Sequence, residues 1–144
     1  DLFEGGHRVP LIARWPKHIP AGTLSGQLTG TVDFFATCAA AASRPLPDAA
    51  APDSFNVLPA LTGEAKAQVR DHLILQSYNH SRLGLREGPW MLIPDPNAKD
   101  PHPGLFNLDE DLAEKENRVE AEPARTTAML KRLDALKASP RSRP

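Results

Sequence analysis

The sequence predicts an α+β fold: a strand, a loop and two helical pieces, then a small antiparallel sheet packed on a C-terminal helix. Three observations carry this prediction. Residues 82–86, RLGLR, and 89–93, PWMLI, flank Glu87 and Gly88, the pattern of a β-hairpin with a tight turn. Met129, Leu130, Leu133 and Leu136 line one face of a helix that Pro123 is suited to open. Lys131, Arg132 and Lys137 lie toward its end, where cations complement the helix dipole. Residues 31–42, TVDFFATCAAAA, read as an earlier helix, with Thr31 placed to accept a capping bond and Asp33 at the positive end of the dipole.

The other elements follow in chain order. Val9, Leu11, Ile12 and Trp15 in VPLIARW favour a strand, and Pro10 places it at a strand start or an edge. Pro16 and Pro20 stop it, and PKHIPAGTLSG is a surface loop. In the helix at 31–42, Val32, Phe35 and Ala39 share one face, with Phe34, Cys38 and Ala42 beside them. That face packs on a sheet, and Cys38 becomes a small core residue. SFNVLPALTG at 54–63 is a short helical turn, limited by Pro59 and closed by Gly63. HLILQSY at 72–78 and GLFNL at 104–108 join the hairpin to give about four strands. DPNAKDPHPG is a long polar loop, DEDLAEKEN a solvated one, and SPRSRP a disordered tail.

Composition narrows the functional classes. The chain has 144 residues, 40% of them hydrophobic, as in an ordinary globular protein. A net charge of −1 gives no global field for nucleic acid or an anionic membrane. No apolar run approaches the roughly 18–20 residues that span a bilayer. One cysteine, Cys38, excludes an internal disulfide and a CxxC zinc site. His18, His72 and His102 do not stand at metal-ligand spacing, and Asp109, Glu110 and Asp111 lack the alternation and glycine of an EF-hand. Trp15 and Trp90 fall in strand runs and read as core rather than as a sugar-stacking pair.

Five segments in order carry a family resemblance. They are EGGHRVPLIARWPKHIPAG, TVDFFATCAAAA, SFNVLPALTG, LGLREGPWMLI and GLFNLDEDLAEKEN. From Glu4 to about Asn117 their order and spacing resemble those of the sulfatase family, whose corresponding stretches read EGG-x-R-x-P, VDLxPTLLxLAG, G-x-S-L-x-P-L-L-x-G, ALRxGxWKLI and ELYDLxxDPxExxN. The resemblance implies that residues 1–63 are the C-terminal end of a catalytic α/β domain. Residues 64–138 would be the four-stranded C-terminal subdomain, and 139–144 a disordered tail. The abrupt opening on Gly5 and Gly6 then reads as a chain already running.

The resemblance also implies hydrolysis of sulfate esters by a formylglycine made from Cys or Ser in C/S-x-P-x-R, with calcium in the full-length parent. That chemistry needs a hydrated aldehyde, cationic stabilisation and a general acid. Cys38 is followed by four alanines and fails the motif, as do Ser43, Ser139 and Ser142. No catalytic or metal-binding residue is therefore assigned, and the chain alone is expected to be inactive.

Its substrate-cleft candidates are His7, Asn79, His80 and Arg82. Glu4, Gly5, Gly6, Arg8, Arg86 and Trp90 match the family motif as structural residues, with Arg8 placed to pair with Glu4. Met91 stands where the family often has lysine. The implied partners are a sulfated carbohydrate or other sulfate ester and the N-terminal catalytic domain, in an exported parent. A non-catalytic scaffold and a related alkaline-phosphatase-superfamily hydrolase are the alternatives.

Overall fold

The computed structural model of the chain describes residues 2–78, 82–94 and 103–143. In chain order its elements are α1 (Glu4–His7), α2 (Phe34–Ala41), α3 (Leu58–Thr62), β1 (His72–Gln76), β2 (Leu83–Glu87), β3 (Trp90–Ile93), β4 (Gly104–Asn107) and α4 (Pro123–Ala138). Two compact units result, one of Asp1–Val9 with His72–Ala138 and the other of Pro10–Asp71 with Ser139–Pro144.

The first unit is a four-stranded antiparallel sheet in the order β1-β2-β3-β4. Gly88, at φ +51°, turns the β2–β3 hairpin. Successive strand residues point to opposite faces, so each face collects its own apolar set. Leu85, Leu92 and Leu105 meet Met129 and Leu133 of α4 on one face. Met91, Ile93, Phe106 and Leu108 pack with Leu2 on the other. Burying each of these large side chains contributes about 1.5–3 kcal/mol. Gly84 permits the second cluster its density: a Cβ there would lie 2.7 Å from Met91 Cε and 3.6 Å from Leu2 Cδ2.

The second unit is stitched largely by polar groups. A short 3₁₀ turn, Thr31–Asp33, leads into α2. The Thr37 hydroxyl donates to the Asp33 carbonyl at 2.7 Å and accepts the Val57 N–H at 3.0 Å. Ser54 Oγ accepts the Ala36 N–H at 2.9 Å. Gly63 closes α3 at φ +82°, where a side chain would meet no atom but the backbone would be strained. Gly63→Ala is expected to lower stability by about 1 kcal/mol, read as a shifted urea midpoint at constant slope. At the other end of the chain, the Ser142 and Arg143 amides donate to the Pro52 carbonyl at 3.2 Å.

Four readings from the sequence are corrected. No strand forms at residues 9–15, where Val9 is 71% and Ile12 88% exposed. Among the described residues no strand lies alongside to receive its hydrogen bonds, and an unpaired strand is not a stable element. Thr31 does not cap the helix; the Asp33 carboxylate accepts the Gly30 N–H at 2.9 Å instead. The face of α2 expected to pack is exposed, with Phe35 at 61%, while Asp33, Ala36 and Thr37 are buried. Cys38 lies on that exposed side and is not a core residue.

Candidate functional site

The sequence motif around the glycine pair folds into a charge hub. Glu4 opens α1 and is buried at 5% exposure. One carboxylate oxygen accepts Arg8 Nε at 2.7 Å from the residue that caps the end of that helix. The other accepts Arg86 Nη1 from β2 at 2.5 Å. Arg86 also donates through Nε to the Gly88 carbonyl at 2.6 Å, tying the hub to the hairpin turn. Burial lowers the Arg86 guanidinium pKa from its ordinary value, and the Glu4 charge opposes that shift. A second acidic group completes the hub: Glu114 Oε2 accepts the backbone N–H of Glu4 at 2.7 Å.

Gly5 and Gly6 lie within α1, and the Gly6 N–H reaches the Phe3 carbonyl at 2.8 Å. His7 Nε2 sits 3.1 Å from the Leu2 carbonyl, so one ring nitrogen is engaged by the turn itself. Trp90 packs beside the α4 cluster, with the Arg125 guanidinium 4.5 Å over its ring. Trp15 is not in a strand; it stacks on His18 at 4.0 Å. Arg82 brackets the β1–β2 connection: its carbonyl accepts the Ser77 N–H at 2.9 Å, and its own N–H donates to Ser77 Oγ at 3.1 Å. Asn79 and His80 lie outside the described residues.

Glu114 was missed by the solvated-loop reading of residues 109–117. The signal was present in the same stretch, because Glu114 and Asn117 fall on the glutamate and asparagine of the family's ExxN pattern. Asn117 also has work: its side chain accepts the Leu105 N–H at 3.0 Å and donates to the Pro103 carbonyl at 3.1 Å.

The second unit has its own buried ion pair. Arg70 Nη1 lies 2.6 Å from both oxygens of Asp33, and the two side chains are 2% and 0% exposed. Asp33 further accepts the Phe55 N–H at 2.9 Å, and the Arg70 guanidinium stacks 4.5 Å over the Phe55 ring. This pair holds the start of α2 to the loop before β1; it offers no reacting group.

Among the described residues, no cluster of three or more His, Cys, Asp or Glu side chains fits a metal ion. No helix among them is long and apolar enough to cross a membrane. The arrangement can brace and position backbone.

No family model matches the chain. An N-acetylgalactosamine-6-O-sulfatase from Bacteroides thetaiotaomicron is 31% identical over 95% of the chain, and the match spans 29% of that protein. A human steryl-sulfatase is 41% identical over 56% of the chain and 14% of its own length. A solved structure from work on glycosaminoglycan metabolism by Bacteroides thetaiotaomicron superposes with TM-score 0.84 at 30% identity, covering 96% of this chain and 31% of the other. A structure holding D-glucosamine-2-N,6-O-disulfate as its substrate shares the fold at TM-score 0.68 and 23% identity. The chain thus spans less than a third of the relatives it matches over nearly all its length. By sequence and by fold, it corresponds to a C-terminal region of the sulfatases.

Proposed function

We propose that this chain is the non-reacting C-terminal part of an enzyme that hydrolyses sulfate esters. One observation carries the reading: 95% of the chain aligns at 31% identity with an N-acetylgalactosamine-6-O-sulfatase. On this reading residues 1–63 belong to the end of the catalytic domain and residues 64–138 form a subdomain that shapes the substrate cleft. The sulfated group sits on a carbohydrate, by analogy with that relative. The reaction adds water across the ester and releases an alcohol and sulfate. A formylglycine upstream of Asp1 supplies the nucleophile, since no C/S-x-P-x-R occurs in these 144 residues.

The described residues do not fit the calcium ion that the family implies. Instead, this chain holds its own backbone in place: Glu4 fixes the Gly5–His7 turn between Arg8 and Arg86. His7, Asn79, His80 and Arg82 are the proposed cleft-facing residues.

The test is an assay of the full-length protein on a 6-O-sulfated N-acetylgalactosamine, an aryl sulfate and an aryl phosphate. Release of sulfate in preference to phosphate is expected. Preferential release of phosphate, or turnover of none of the three, would overturn the assignment. Residues 1–144 expressed alone should turn over none of them.

A further inference from the structure

We propose that the cleft walled by Trp15 and His18 is a binding site for an uncharged pyranose sugar. The cleft lies wholly within the second unit and measures about 460 Å³, inside the roughly 300–1,000 Å³ range of small-molecule sites. Its wall is built by one turn. The His18 and Ile19 amides donate to the Trp15 carbonyl at 3.1 and 2.9 Å, and Lys17 between them stands at φ +73°. That turn stacks the Trp15 and His18 rings at 4.0 Å with their planes 25° apart, so each ring fixes the other. Leu58 and Pro59 of α3 add apolar surface. Across from them, Ser43 ends α2 at φ +53°, with its N–H on the Ala40 carbonyl and the Arg44 N–H on the Ala39 carbonyl, both at 2.9 Å. Glycine would suit the backbone at Lys17 and Ser43 better. Two segments that border the cleft are thus held in a conformation that only their surroundings impose.

The chemistry of the lining selects the ligand. A pyranose ring presents a face of C–H groups and a rim of hydroxyls that both donate and accept. The aromatic wall and the α3 side chains match the face. The rim needs donors and acceptors that are not already engaged, and the cleft supplies both. Asn56 spends its Oδ1 on the Leu58 N–H at 3.0 Å, which leaves its Nδ2 as a donor. The Trp15 indole N–H, the Ser43 hydroxyl and the Glu64 carboxylate have no hydrogen-bond partner among the described residues. They supply a donor, a dual group and an acceptor in turn. No lysine or arginine lines the cleft, and its one carboxylate disfavours an anion. A sulfated or phosphorylated group is therefore a poor occupant, and an uncharged sugar unit fits.

This inference does not rest on sulfate ester hydrolysis, and its test is separate. An unsulfated N-acetylhexosamine tetrasaccharide is titrated into the full-length protein and its Trp15→Ala and Asn56→Asp variants, with binding read by NMR saturation transfer. Wild type should bind with a dissociation constant on the order of 1 mM or tighter. Trp15→Ala removes the wall. Asn56→Asp keeps the oxygen that accepts the Leu58 N–H, so α3 stays capped while the Nδ2 donor is lost and a second negative charge enters. Each variant should lose about tenfold or more in affinity. If Trp15→Ala does not fold, Asn56→Asp decides alone. No binding by wild type at millimolar saccharide, or an Asn56→Asp variant that binds as wild type does, would overturn the site. Aryl sulfate turnover, measured on the same samples, tests the sulfatase reading alone, so the two can fail independently.

Discussion

Replacing Asp33 with alanine is expected to lower stability by about 3–5 kcal/mol, the usual cost of stranding a buried charge. The reason is that Arg70 cannot follow the change. Its side chain is 2% exposed, lies over Phe55 and reaches both Asp33 oxygens at 2.6 Å. Without the carboxylate, a guanidinium remains in the interior with its main counter-charge gone, and the Gly30 and Phe55 amides lose their acceptor. Asp33→Asn keeps the shape and one acceptor oxygen, so it should fall between alanine and wild type. Urea unfolding of the full-length protein reads both. A loss below about 1 kcal/mol for the alanine variant would mean that Arg70 is not held as described.

Glu4→Ala comes next, with an expected loss of about 2–4 kcal/mol. Its two arginine partners differ in a way that makes the prediction specific. Arg86 is 14% exposed and depends on Glu4 for its charge pairing, whereas Arg8 is 57% exposed and can turn to water. Arg86→Ala should therefore approach the Glu4→Ala loss, and Arg8→Ala should cost less than about 1 kcal/mol. Equal losses for the two arginine variants would contradict a hub built around the Glu4–Arg86 pair.

The sheet unit was legible in the sequence because its signals are local. Glu87-Gly88 between two apolar runs marks a hairpin, Pro123 marks a helix start, and period-two alternation separates Leu92 from Met91 and Ile93. The Gly63 cap was readable for the same reason. The first half was less so. VPLIARW has strand composition, yet a strand forms only where a neighbour supplies the ladder, and composition does not report neighbours. The buried side of α2 is set by Asp33 and Thr37, polar residues whose burial depends on Arg70, Phe55 and Val57 far along the chain. Glu114 escaped for a related cause. An acidic run looks solvated until one member is seen to meet a backbone amide 110 positions away.

Peptide mass mapping of the full-length protein in its active form tests the central claim most directly. The account predicts that Cys38 is recovered as an ordinary thiol, and that the aldehyde-bearing residue maps outside positions 1–144. An aldehyde at Cys38 would place the nucleophile within this chain and contradict the account.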